Sequence, residues 1–437
     1  MEKDHTRRYV LASFWAVVLL LGLPLWHYTT LTPRSQLPLE EMVRPVCPTM
    51  QDHAIEIYSA NYTLLKDLSP PFPVRWVQTP TMESYEVRLH SGEQGYEVSH
   101  RTLTVSIPQT DVSFVCTVLE ELFAPERDRI EHLLDGRGSD QRAEMRGVVG
   151  YSTRYELVFS LLNGDAQVQS WDIEDAFSML HPLLSKLDGI SKFSVDSQVQ
   201  LLSHLAVAPQ WTSEGHYTLS REQLASFVNS AEWNLASLEA TPTLHFIVYV
   251  PSDSPLLINS PHNAFLIPQW GGVHILNTNT THLSAEELSL SFKIFASYLL
   301  DLLGAPHTAS LMLRIDGLQR QRCVETMLLA SNTLAALARV VQRIPQIPIP
   351  AAVAESTHMA LRALEHACAA LQESKFSSAL AHARLAREHS ERAFFDKAMV
   401  AQVYFPDEHK AAVYLPLLGP VAMPLVLALY REIRSRL

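Results

Sequence analysis

Two uncharged apolar stretches stand at opposite ends of this 437-residue chain, and nearly everything else lies between them. Neither Tyr9 to Trp26 nor Ala411 to Tyr430 contains Asp, Glu, Lys or Arg. A helix rises 1.5 Å per residue, so about 20 residues cross the hydrocarbon layer of a bilayer. The pattern predicts two transmembrane helices, 9–26 and 411–430, flanking a middle of about 380 residues, enough for one large domain or two ordinary ones.

Lys3, Arg7 and Arg8 precede the first stretch, and Arg431, Arg434 and Arg436 follow the second. Basic flanks favour the cytoplasmic side, so both termini, 1–8 and 431–437, are expected there, with the middle on the opposite side. The exit Leu25-Trp26-His27-Tyr28 offers no small-residue pair for a signal peptidase, so the first stretch reads as a retained anchor. Two N-glycosylation sequons fall in the middle, at Asn61-Tyr62-Thr63 and Asn279-Thr280-Thr281, and a luminal placement exposes both to the transferase.

Formal net charge is −12 although both basic termini are positive, so the middle is acidic. Nucleic-acid affinity comes mostly from basic patches, and this balance argues against nucleic-acid binding. Cys47, Cys116, Cys323 and Cys368 are too widely spaced for a CxxC metal knuckle. In an oxidising lumen one or two bridges can form, but Cys323 and Cys368 sit in helical patterns and are expected as buried thiols.

Residues 27–80 are rich in proline and threonine and read as a tether with irregular structure. The region 81–318 alternates strand and helix patterns. Tyr85–His90 and Tyr96–Ile107 suggest a sheet edge or hairpin, and Tyr155–Leu162 with 166–171 suggests a hairpin turning at Asn163-Gly164-Asp165. Asp172 is placed to cap a helix that Pro182 kinks. Leu244–Val250 reads as a central strand, and Ser284 with Glu287 forms a capping box for the helix that Gly304 closes. From 319 to 410 three helical patterns follow, at 319–343, 351–373 and 376–395, the last two forming a hairpin. One such hairpin is not a tetratricopeptide array. The fold class expected is α/β, a layered luminal sheet-and-helix domain with a C-terminal helical hairpin between two transmembrane helices.

The chain contains no GxSxG elbow, HExxH helix, GxxxxGK[ST] loop or GxGxxG fingerprint. Acidic residues in Trp171-Asp172-Ile173-Glu174-Asp175 are better explained by helix capping and the helix dipole than by a metal. His366, His382 and His389 lack ligand partners at i,i+4, and Cys323 has no histidine fixed beside it. Trp270-Gly271-Gly272 reads as a tight turn. No catalytic, cofactor or metal residue is assigned. Pro416, Pro420 and Pro424 lie along one helix stripe and remove backbone donors, a cost in lipid that partner helices can offset.

Several blocks, in order, resemble the PIG-S family. They include Gly22-Leu23-Pro24-Leu25-Trp26 with Thr29-Thr30, Tyr155-Glu156-Leu157 through Asn163, and Trp171-Asp172-Ile173-Glu174. Phe193-Ser194-Val195-Asp196-Ser197-Gln198, Tyr249-Val250-Pro251 and Trp270-Gly271-Gly272 follow. Phe394-Phe395-Asp396, Tyr404-Phe405-Pro406-Asp407 and the proline ladder complete the series, and the chain is short relative to the family within 31–147. The resemblance implies a non-catalytic scaffold subunit of the glycosylphosphatidylinositol (GPI) transamidase in the endoplasmic reticulum membrane. It implies as partners PIG-K, which supplies the cysteine nucleophile, PIG-T, PIG-U and a metallopeptidase-like anchor-attachment subunit, with GPI lipid and proprotein contacted indirectly. An independent luminal hydrolase or transferase, or a luminal adaptor or chaperone, is the alternative.

Overall fold

The computed structural model describes residues 2–22, 24–25, 34–44, 47, 49, 53–108, 112–135, 148–165, 168, 170–205, 207–220, 222–224, 241–308, 310–344, 347–401 and 407–434. Residue contacts divide the chain into two units. One comprises 47–327 with 366–383, and the other 1–46, 328–365 and 384–437.

The first unit contains two five-stranded sheets. β1 (Ile55–Tyr58), β2 (Val74–Val77), β3 (Tyr85–Ser91), β4 (Gly95–Ser99) and β5 (Thr102–Ile107) are arranged in the order β2-β1-β3-β5-β4. All pairs are parallel except β4–β5. Tyr85–His90 and the start of the next run are therefore not partners: β3 pairs across with β5, and the hairpin joins β4 to β5. Alternation explains the core, because Leu103, Val105 and Ile107 are buried while Thr102, Thr104 and Ser106 are half-exposed. These side chains meet Val115, Leu119, Leu122 and Phe123 of the helix Ser113–Leu134.

The second sheet is built from β6 (Arg154–Asn163) and β8 (Lys192–Gln200), with the two-residue β7 (Ser170–Trp171) lying between them in sequence but outside the sheet. A small sheet uses β9 (Gln210–Trp211), β10 (Tyr217–Thr218) and β12 (Leu256–Leu257), while β11 (Thr243–Val250), β13 (Ala264–Ile267) and β14 (Gly271–Ile275) complete the second sheet in the order β13-β14-β11-β6-β8. Only β13 runs antiparallel. β11 is the middle strand and is buried from Leu244 to Val250, as its unbroken apolar run requires. Phe159 stacks between Phe246 and Phe292 under the helix Ala285–Leu302, which opens with the Ser284–Glu287 capping box and ends at Gly304, whose φ is +79°.

The hairpin expected at 155–171 is not formed. β6 instead pairs in parallel with β8 and β11, and Asn163 turns inward to donate to the Val168 carbonyl at 2.7 Å. Residues 166, 167 and 169 of that expectation lie outside the described residues. The helix after Asp172 is two short helices, Ile173–Phe177 and His181–Leu187, and Pro182 opens the second, where its missing N–H has no intrahelical partner to lose. The turn assigned to Gly271-Gly272 falls earlier, at Gln269 with φ +60°, where Trp270 N–H bonds the Ile267 carbonyl at 3.2 Å. The two glycines are inside β14. A Cβ on Gly271 would come to 1.8 Å from the His245 carbonyl oxygen, and one on Gly272 to 2.5 Å from the Tyr298 ring.

The helix starting at Leu311 extends to Arg343, eight residues earlier than the apolar pattern alone suggests. Its first turns carry Arg314, Asp316, Arg320 and Arg322, all buried. Arg320 makes a two-pronged ion pair with Glu126, at 2.5 and 2.7 Å, and donates to the Tyr85 hydroxyl at 3.0 Å. Tyr85 donates to Asp316 at 2.9 Å, and Arg101 grips the same carboxylate through two bonds of 2.7 Å. Burial opposes the Arg320 charge, but Glu126, Tyr85 and Asp316 together outweigh it and hold the guanidinium well above its ordinary range; burial pushes the Tyr85 hydroxyl up. Toward the second sheet, Arg314 pairs with Asp301 at 2.6 Å and Arg322 donates to the Leu303 carbonyl at 2.7 Å, satisfying a helix end.

The helices Ala351–Gln372 and Phe376–Phe394 are joined by a turn with Ser374 at φ +57°, and His366 faces His382 with ring centroids 5.4 Å apart. Cys368 is not a free thiol. It is bonded to Cys47, while Cys116 and Cys323 are the free cysteines. Burial raises the Cys323 thiol to about 12. In the second unit the helix Glu2–Val17 continues through a π-turn segment to Gly22, and Asp407–Arg434 runs unbroken through its three prolines. Among the described residues Leu311–Arg343 is the helix long and apolar enough to cross a membrane, although its buried charges mark it as a core helix; Ala12–Gly22 and Ala422–Arg431 are shorter apolar stretches.

Two outcomes follow from this framework. Arg320→Met leaves Glu126 buried without its partner and should destabilise the fold by roughly 3–5 kcal/mol, with Glu126→Leu/Arg320→Met recovering part of that loss. Thermal unfolding in detergent reads both. Cys47→Ser opens a covalent loop spanning a sequence separation of 321 residues. It should cost roughly 2–5 kcal/mol and slow migration on a non-reducing gel.

Candidate functional site

Two constellations of chemistry-bearing side chains can be weighed. The one invisible in sequence joins Ser170, His282 and Asp172. β7 pairs in parallel with β15 (His282–Leu283), which sets the His282 ring between the two other residues. Ser170 Oγ is 2.8 Å from His282 Nδ1, and Asp172 Oδ1 is 3.1 Å from Nε2. Asp172 thus spends its carboxylate on His282 and makes no side-chain cap to the helix Ile173–Phe177, contrary to the capping expectation. Glu174 and Asp175 do occupy that helix's first turn.

Serine, histidine and carboxylate in a line are the parts of a nucleophile relay. Its efficiency depends on a desolvated site and a carboxylate that fixes the ring. Here the His282 and Asp172 side chains keep 48% and 42% of their exposure, so water competes at every step. A second pair, His274 Nδ1 and Ser291 Oγ at 2.7 Å, is wholly buried, and burial depresses the imidazole to about 4. That serine cannot meet a substrate, and the pair ties β14 to the helix above it. Among the described residues no group of three or more His, Cys, Asp or Glu side chains is placed to hold a metal.

In open parallel sheets, ligands bind at the strand carboxyl ends where the winding reverses. That point falls between β6 and β11, because the chain leaves β6 toward β8 and β11 toward β14. Gly164 fills it. Its N–H bonds the Val250 carbonyl at 2.8 Å, and a Cβ there would lie 2.6 Å from the Ser252 nitrogen.

The residues singled out from sequence differ in exposure. Asn279 and Thr280 are exposed in the loop between β14 and β15. Asn61 is half-buried and precedes the helical turn Tyr62–Leu65, its N–H bonded to Ser59 Oγ at 3.2 Å. Pro416, Pro420 and Pro424 are all exposed along the Asp407–Arg434 helix. His366 and His382 face each other on the hairpin, and Cys323 is buried, so none of these joins the Ser170 group. Trp26, Thr29-Thr30 and Tyr404-Phe405-Pro406 lie outside the described residues.

Fold and side chains together define an α/β protein built on two five-stranded sheets, with apolar helical stretches at 12–22 and 422–431 and buried charges that serve its own packing. The chain belongs to the PIG-S family: the family described as phosphatidylinositol-glycan biosynthesis class S protein matches residues 13–58 and 49–436. Similar proteins include the GPI-anchor transamidase component PIGS of Rattus norvegicus, 27% identical over 96% of this chain and 93% of the relative. The GPI transamidase component PIG-S homolog of Schizosaccharomyces pombe is 29% identical, over 99% and 84%, and the GPI transamidase component GPI17 of Saccharomyces cerevisiae 25% identical, over 100% and 93%. The rat alignment runs over 521 positions, more than the 437 residues here, and the family match divides at 49–58, inside the region read as short.

Exposure at Asn279 and partial burial at Asn61 give an ordered expectation for modification. In cells, Asn279→Gln should abolish the larger share of an endoglycosidase-sensitive gel shift, and Asn61→Gln a smaller share; a wild-type band that endoglycosidase leaves in place contradicts it.

Proposed function

We propose that this chain is a scaffold subunit of the GPI transamidase, held in the endoplasmic reticulum membrane by helices at 9–26 and 411–430, with both termini cytoplasmic and the intervening domain luminal. The observation that carries the reading is a family match running from the first apolar stretch to the last, with relatives named as transamidase components. The Cys47–Cys368 disulfide supports an oxidising compartment. An exposed sequon at Asn279 and basic residues at both termini agree with it.

Its role is structural. The backbone at the α/β winding point packs closely, with room at Gly164 for no Cβ beside the Ser252 nitrogen, and the His274–Ser291 pair is sealed within the fold. PIG-K, PIG-T, PIG-U and the anchor-attachment subunit are the partners, with PIG-K supplying the nucleophile. The exposed proline stripe fits this role: carbonyls freed by Pro416, Pro420 and Pro424 gain partners when other helices pack along them.

The second reading, an independent luminal hydrolase, rests on the Ser170–His282–Asp172 line. Affinity capture in mild detergent, paired with GPI-protein display in cells carrying Ser170→Ala, separates the two. Under the scaffold reading the wild-type chain recovers PIG-K and PIG-T homologues and Ser170→Ala displays GPI proteins at wild-type level. Capture of neither homologue from a lysate that expresses both, or display falling tenfold or more in Ser170→Ala with the complex intact, overturns it.

A further inference from the structure

The four cysteines emerge in the order Cys47, Cys116, Cys323 and Cys368, yet the bond in the folded chain joins the first to the last. Cys116 and Cys323 end as thiols, Cys323 buried and Cys116 half-buried on the helix Ser113–Leu134. A chain is made from its N-terminus, so Cys47 and Cys116 stand together well before Cys368 exists. About 250 residues separate Cys116 from Cys368, which is about 12–50 s of synthesis at ordinary rates. Closure of an unfolded chain falls roughly as the 3/2 power of loop length. The loop of about 70 residues from Cys47 to Cys116 therefore closes about tenfold more often than the one from Cys47 to Cys368.

The fold itself delays the burial of Cys116. Its helix packs Val115, Val118, Leu119, Leu122 and Phe123 into the core of the first sheet, and Glu126 is buried with them. Glu126 gains its ion-pair partner from Arg320, 194 positions later, while the Tyr85 hydroxyl and Arg101 meet Asp316, 231 and 215 positions later. Leu313 joins the same apolar cluster. Seating the helix before residues 311–322 arrive would bury a carboxylate without its partner, and that cost favours an open layer with Cys116 accessible. Cys368 comes to Cys47 later still, when the helical hairpin docks on the first sheet. There Ser374 Oγ donates to the Ala54 carbonyl at 2.8 Å, Arg75 to the Gln372 carbonyl at 2.8 Å, and Glu83 accepts from the Phe376 N–H at 2.7 Å.

We propose that Cys116 is a temporary partner: Cys47 and Cys116 are joined first, and Cys368 then displaces Cys116 to give the Cys47–Cys368 bond. The inference rests on the luminal placement proposed above. In the first step the two thiols give up two protons and two electrons, and the disulfide of a luminal thiol oxidoreductase takes them up and becomes a dithiol. In the second step the Cys368 thiolate attacks Cys47 Sγ and the Cys47–Cys116 bond breaks. Cys116 leaves as a thiolate and takes up the proton that Cys368 released, with no net oxidation or reduction. Docking of the hairpin sets Cys368 against Cys47, and arrival of the Leu311–Arg343 helix draws Cys116 into the seated layer. Cys116 thereby keeps Cys47 from foreign thiols during synthesis, and the completed fold makes the exchange one-way.

Pulse-labelling of the full chain in cells, with thiols alkylated at each time and disulfide-linked peptides identified by mass, follows both bonds. In wild type the Cys47–Cys116 peptide should dominate nascent and newly completed chains, then fall at least tenfold as Cys47–Cys368 rises. Cys368→Ser removes the displacing thiol and should trap Cys47–Cys116 as the end product; the wild-type time course guards against misfolding of that variant. Wild-type nascent chains with Cys47 and Cys116 both free, an early Cys47–Cys323 bond in their place, or a free Cys47 thiol in a folded Cys368→Ser chain each overturns the proposal. A mature wild-type chain whose Cys47 and Cys368 are both free defeats the luminal placement itself, a distinguishable failure.

Discussion

A buried guanidinium organises this protein. Arg320 lies deep between the first sheet and its helix, where a lone charge would be too costly to keep, and Glu126, Tyr85 and Asp316 surround it with charge and hydrogen bonds. Arg320 also lies over the Tyr85 and Phe376 rings, 5.6 and 5.2 Å from their centroids. The same helix reaches the second sheet's layer through Arg314 and Arg322. The disulfide adds a covalent tie from Cys47 to the Ala351–Gln372 helix.

What could be read from the sequence was local. The capping box at Ser284, the central strand ending at Val250 and the three late helices leave signals within a few residues, and the structure has them. The early turns of the Leu311–Arg343 helix were hidden because Arg314, Asp316 and Gly317 break the apolar period; their charges are buried only because distant residues meet them. Strand partners were misread for a related reason. Hairpin signals such as Asn163-Gly164-Asp165 suggest neighbours, but β6 has parallel partners, which need long crossovers and leave no local mark. The Cys47–Cys368 pairing and the Ser170–His282–Asp172 line are likewise long-range facts, each joining residues more than 100 positions apart.

The candidate chemistry and the family assignment converge on the same physical picture. Among the described residues the His274–Ser291 pair is sealed within the fold, and the Ser170–His282 pair is solvated. Outward features are of another kind: a proline stripe and an exposed sequon. Under the scaffold reading proposed above, these surfaces gain energy when other chains cover them.

Hydrogen–deuterium exchange on the full chain, free in detergent and within the purified complex, tests that claim most directly. The account predicts that backbone amides along 407–434 exchange more slowly in the complex, while the Ser170–Asp172 segment changes little. Unchanged exchange along 407–434, with protection appearing at Ser170–Asp172 when a GPI substrate is added, would contradict it.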